Sequence, residues 1–123
     1  MNTQLLVSVV DDDQSFRESL PELLKELGFA ARRFSSAKDF LASDAVLHSN
    51  CLMLDVAMPV MSGPELFREL RRRGLGIPVV FITARRDEAA RSRLLDYGAV
   101  ECLFKPFDDK ALSQALNKAV GSK

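Results

Sequence analysis

Short, almost continuously apolar runs recur along this chain, and amphipathic stretches separate them. "LLVSVV" (5–10), "CLMLDV" (51–56) and "PVVFIT" (78–83) leave hardly a polar position. A strand with one wet face alternates polar and apolar residues. A strand that reads apolar throughout is covered on both faces, as in a parallel sheet. "ECLF" (101–104) and the weaker "AARRF" (30–34) complete a set of five.

The intervening stretches carry helical spacing. Phe16, Leu20, Leu23, Leu24 and Leu27 form one stripe that Gly28 ends. "SSAKDFLA" opens on serine caps and carries Phe40 and Leu41. "SGPELFRELRRRG" offers Ser62 and Glu65 as a capping box, Pro64 in the first turn and Gly74 as the stop. "RRDEAARSRLLDYG" presents Ala90, Leu94, Leu95 and Tyr97 before Gly98. In the last stretch Asp108 is placed to cap a helix bearing Leu112, Ala115, Leu116 and Ala119. The order is five βα units in series, and right-handed crossovers turn such a series into an open, doubly wound α/β sheet. Pro21 sits inside the first stripe but off its apolar face. It removes one helical hydrogen bond, so a kinked helix hydrated near the residue-17 carbonyl is expected, not a broken one.

A chain of 123 residues without repeat or linker suits one domain, 1–123, with any output domain outside it. Lys plus Arg and Asp plus Glu both total 17. That balance argues against a chain-wide attraction to nucleic acid. The basic cluster "RELRRRG" is read as the exposed face of the third helix, not as a DNA contact. No apolar run has the length of a membrane span and no basic n-region opens the chain, so a cytoplasmic protein is expected. Cys51 and Cys102 both fall in apolar runs and are read as buried, reduced thiols. With a single histidine, His48, and no Cys-x-x-Cys, no zinc site is expected.

In doubly wound sheets, ligands sit at the carboxyl ends of the strands. Strand one runs into Asp11, Asp12 and Asp13, strand three into Asp55, strand four into Thr83, and strand five into Lys105-Pro106. Three adjacent carboxylates raise one another's pKa and cost stability unless a positive charge sits among them. Clustered carboxylate oxygens suit a hard cation, and magnesium commonly bridges such a site to a phosphate. Lys105 adds an ammonium opposite the acids. The plainer alternative is that the acids cap the first helix and face water. One of the three is expected to be that cap.

The pieces "VVDDD", "LMLDVAMPVMSG", "FITA" and "LFKPF", in that order, resemble the receiver domain of two-component response regulators. "RFSSAKDFLAS", "GIPVVFITA" and "YGAVECLFKPFDDKAL" are similar to its FixJ-like branch, in which a receiver precedes a C-terminal helix-turn-helix DNA-binding domain. The resemblance implies a flavodoxin-like (βα)5 sheet with strand order 2-1-3-4-5. It implies that Asp55 is the phosphoacceptor, attacking a phosphohistidine on a sensor histidine kinase. Asp11, Asp12, Asp55 and the backbone carbonyl of Ala57 would hold Mg2+. Thr83 and Lys105 would each meet a phosphoryl oxygen, and the Lys105-Pro106 bond would be cis. The domain would catalyse only its own labelling and hydrolysis and would not be an enzyme acting on an outside substrate. Phosphorylation would switch the face formed by the 85–97 helix, strand 101–104 and the last helix, controlling transcription or another effector, with a homodimer as one outcome.

Two features depart from that pattern. Many receivers carry an aromatic residue three positions before the lysine; here it is Cys102. Either a gap is left there or another side chain fills it. "ARRDEAARS" after Thr83 also differs from the FixJ-like pattern, although Ala84 keeps the small residue beside the threonine. The mixed charges Arg85, Arg86, Asp87, Glu88, Arg91, Arg93 and Asp96 are read either as a solvated face or as a partner surface.

Other readings are weaker. A haloacid-dehalogenase-type phosphatase needs a second acid two residues after its nucleophile, where this chain has Ala57. A flavodoxin-like cofactor binder needs a Ser/Thr/Gly-rich loop where this chain has three repelling acids. A receiver-like protein-binding module that works without phosphorylation remains the alternative, kept open by Cys102.

Overall fold

The computed structural model describes residues 4–121, with all of their side chains except those at positions 15 and 17. The extreme ends of the chain read above lie outside the described residues. The elements run β1 (Leu6–Val10), α1 (Gln14–Glu26), β2 (Ala30–Phe34), α2 (Ala37–Leu41), α3 (Ala45–His48), β3 (Cys51–Asp55), α4 (Gly63–Arg72), β4 (Val79–Thr83), α5 (Glu88–Tyr97), β5 (Glu101–Phe104) and α6 (Asp109–Gly121). The five strands pair in parallel in the order β2-β1-β3-β4-β5. This is the doubly wound sheet expected from the alternation of apolar runs, in the flavodoxin-like strand order that the resemblance implies.

The central strands explain why their sequences are apolar throughout. Along β3, Leu52 and Leu54 join one buried cluster with Leu66, Phe67 and Leu70 of α4. Cys51 and Met53 join the other, with Leu20 and Leu24 of α1 and Leu112 and Leu116 of α6. β4 divides in the same way, Val79 and Phe81 to one side and Val80 and Ile82 to the other. A period of two therefore sends alternate residues into two separate cores. β2 lies at the sheet edge and leaves Arg32 and Arg33 exposed, so its run reads weakly.

The caps act as expected. Ser62 and Glu65 close a reciprocal capping box on α4. Asp108 accepts from the Ala111 N–H at 2.8 Å. Asp13 is the acid that caps α1, accepting from the Phe16 N–H at 3.3 Å. α1 runs unbroken through Pro21. The basic cluster of α4 is exposed, as expected, with Glu69 bonded to both Arg72 and Arg73.

The structure adds one element, the single turn α3. It buries Ala45 and Val46, and His48 within it stays exposed. α5 stands apart from the other long helices because none of its residues is buried. Its tie to β5 is polar: the Arg91 side chain donates to the Cys102 carbonyl at 3.1 Å and to Glu101 Oε1 at 2.7 Å.

Candidate functional site

Parallel strands all end on one edge, and here that edge collects Asp11, Asp55, Thr83 and Lys105. β1 ends at Val10, so Asp11 is the first residue beyond it. Asp55 ends β3 and Thr83 ends β4, its immediate neighbour in the sheet. Lys105 follows β5, and its backbone N–H bonds the Thr83 carbonyl at 2.8 Å. The Lys105-Pro106 peptide is cis.

One carboxylate oxygen from each of Asp11, Asp12 and Asp55 lies within 4.8 Å of the others. Asp11 is fully buried and Asp55 only 7% exposed, whereas Asp12 faces solvent. Asp11 Oδ2 accepts from the Lys105 ammonium at 2.7 Å, and its Oδ1 accepts from the Asp13 N–H at 2.9 Å. So the ammonium does sit among the acids, and the β1–α1 turn is folded around Asp11.

The electrostatics follow from this crowding. Burial pushes the Asp55 carboxyl up to about 7, the charge of Asp11 adds to the rise, and Lys105 opposes it. A carboxylate in that state accepts a cation readily, because a metal removes the repulsion that raises its pKa. Three hard oxygen donors this close fit magnesium or a similar oxygen-seeking ion in chemistry and spacing. Ala57, two residues past Asp55, is exposed at the same rim.

Thr83 Oγ1 accepts from the Arg85 N–H at 3.1 Å, which leaves the hydroxyl proton available to a second partner. On the other side of Thr83 lies a cavity of about 200 Å³ that also touches Val56, Leu94 and Cys102. Cys102 therefore leaves a gap. Both cysteines are buried and reduced. Burial pushes the Cys102 thiol up to about 11 and Cys51 up to about 12, so neither is poised as a nucleophile.

Two residues at this edge carry roles that sequence patterns did not reveal. A Cβ at Gly63 would collide with the Asp55 carbonyl and press on the Phe81 ring. The start of α4 can therefore lie against the end of β3 only because this residue has no side chain. Gly63→Ala is expected to lower stability by about 1–3 kcal/mol and to displace Asp55. Thermal unfolding and the metal affinity of the variant would check both effects. The second residue is Phe16, whose ring centroid lies 4.3 Å from the Lys105 ammonium. Its place in the apolar stripe of α1 disguised that contact.

Comparison with known proteins agrees with the arrangement. Residues 7–117 match the response regulator receiver domain family. The chain is 39% identical over 121 residues to the transcriptional regulatory protein FixJ of Azorhizobium caulinodans, covering 98% of this chain and 57% of that protein. It is 39% identical over 115 residues to nodulation protein W of Bradyrhizobium diazoefficiens, covering 94% and 51%. The chain thus spans about half the length of the curated relatives it matches. Among solved structures it is similar to FixJ-N, with a TM-score of 0.87, 35% identity and coverage of 99% and 98%. The response regulator StyR also superposes with a TM-score of 0.87, at 42% identity, covering 97% of this chain and 60% of that one.

Proposed function

The chain belongs to the response regulator receiver domain family, and on that premise we propose that Asp55 accepts a phosphoryl group from a sensor histidine kinase, with Mg2+ held beside it. The observation that carries this reading is the meeting of Asp11, Asp12 and Asp55 with the Lys105 ammonium at one rim. An Asp55 carboxylate oxygen attacks phosphorus, the P–N bond of the phosphohistidine breaks, and the imidazole leaves. Charge spreads over three equatorial oxygens during that transfer. Lys105 neutralises part of it, and the Thr83 hydroxyl donates to another oxygen. Asp11, Asp12, Asp55 and the Ala57 carbonyl are the groups that would hold the metal, which supplies the remaining positive charge. The same site hydrolyses the acyl phosphate, so the domain labels and unlabels itself and turns over no outside substrate.

The output follows from how α5 is mounted. Phosphorylation adds about −1.5 to −2 of charge at Asp55. Thr83 and Lys105 move toward it, and both lie at the foot of the α5–β5–α6 face. α5 rests on the core only through the partly buried Leu94 and Leu95, with no fully buried residue, and a second cavity of about 330 Å³ lies between it and α4. Two arrangements of this face are therefore accessible, and the label shifts their populations. The listeners are a C-terminal DNA-binding output domain or another effector, a second copy among them, in a cytoplasmic protein that controls transcription. Among the described residues no helix is long and apolar enough to cross a membrane. Some arginines of this face are already engaged internally: Arg91 clasps β5, and Arg86 lies over the Phe104 ring at 5.2 Å.

The test is intact mass after incubation with magnesium and acetyl phosphate. One phosphoryl group is gained, and none with Asp55→Asn or with chelator. The second reading, a partner-binding module indifferent to phosphorylation, draws on the gap at Cys102. It predicts no gain of mass, and partner binding that Asp55→Asn leaves unchanged.

A further inference from the structure

The Lys105 ammonium has two close neighbours of different kinds. One is the carboxylate of Asp11, 2.7 Å away; the other is the face of the Phe16 ring, 4.3 Å from its centroid. That ring is itself held from two directions. Its backbone N–H is bonded by the Asp13 cap at the start of α1. Its edge meets Phe107, two residues beyond Lys105, with centroids 5.7 Å apart and planes at 79°. The ring is only partly buried, on the margin of the core that α1 and α6 share.

We propose that Phe16 is a positioning residue for Lys105, its ring face being a fixed seat that keeps the ammonium at the acid rim. The need for one is physical. Lysine carries its charge on a long flexible stem and is strongly hydrated, so it leaves for solvent once its anion is taken. Asp11 is that anion, and it is also the residue a metal would recruit. When Asp11 turns to a cation, the negative face of the Phe16 ring still attracts the ammonium, and the ring blocks water on that side. The ammonium then has a short path to a phosphoryl oxygen on Asp55. A leucine or methionine would fill the same space without offering a negative face. What the seated ammonium does next rests on the receiver reading; the seating itself does not.

Replacing Phe16 alone with phenylalanines bearing one, two and three ring fluorines weakens the ring face stepwise at nearly constant shape. Three measurements follow: the proton shifts at Lys105 Cε in the metal-free protein, the initial rate of phosphorylation by acetyl phosphate with magnesium, and the melting temperature. The native protein should show the Cε protons shifted upfield by the ring. The rate should fall with each fluorine, about three- to ten-fold in all, while the melting temperature holds. Phe16→Trp should keep both the shift and the rate, and Phe16→Leu should lose both. A native Lys105 without the upfield shift, or a rate that ignores the fluorines, overturns the proposal. Should the native protein gain no phosphoryl group at all, the receiver reading fails, and the Lys105 shift alone decides the seating.

Discussion

Lys105→Met is expected to cost the metal-free protein about 3–5 kcal/mol of stability, the usual result of taking one partner out of a buried ion pair. Asp11 is fully buried and receives the ammonium at 2.7 Å, so the substitution leaves a carboxylate in the interior with its neutralising charge withdrawn. Methionine keeps the apolar stem that lies along Phe16, so lost packing contributes little. Magnesium should recover a large part of the deficit, because a divalent ion at Asp11, Asp12 and Asp55 supplies positive charge at the same rim. Phosphorylation should remain slow even at saturating metal, since the ion cannot also occupy the place of the ammonium. Denaturant unfolding with and without magnesium, followed by the phosphorylation rate, separates these effects. A variant as stable as the native protein without metal would show that the ammonium does not offset Asp11.

The second expectation concerns pH. Asp55 holds its proton up to about pH 7, while an unfolded aspartate releases it near the ordinary value of 3.8. Between those limits the folded protein binds one more proton than the unfolded chain, so stability falls as pH rises. The stabilising contribution is complete below about pH 4, is lost across the interval to about pH 7, and stays lost above it. Three units of difference correspond to something on the order of 4 kcal/mol. Asp55→Asn removes the ionisation, so the variant should be more stable than the native protein at pH 8 and similar to it only near pH 4. Magnesium should stabilise the native protein much more at pH 8 than at pH 5, and Asp55→Asn much less at either. The Glu69 carboxyl, held down to about 2 by hydrogen bonds from Arg72 and Arg73, acts in the opposite sense and only between about pH 4.5 and 2. It is common to both proteins, so their difference isolates Asp55. Parallel stability profiles for the two proteins would refute the assignment.

How much of this was readable beforehand depended on how local each signal is. β3 and β4 announce themselves because every residue in them is buried and each opens on four consecutive apolar residues. The acid rim was readable because strand ends in a parallel sheet share an edge, which turns four separate segments into one place. α3 was not foreseen, since four residues are too few to display a period. Gly63 escaped for a different reason. It sits in a capping sequence that already explains a small residue, and its collision partner, the Asp55 carbonyl, is known only once α4 is docked. Phe16 satisfies the α1 stripe so well that nothing local distinguishes a core ring from one that faces an ammonium.

The bond between Asp11 and Lys105 spans 94 positions of the chain. It joins the end of β1 to the end of β5, across all the strands of the described sheet. Until β5 has emerged and docked, a nascent chain carries its acids without the lysine that tames them. On the proposed reading, a fragment that lacks β5 keeps its acids without Lys105 and should gain no phosphoryl group from acetyl phosphate.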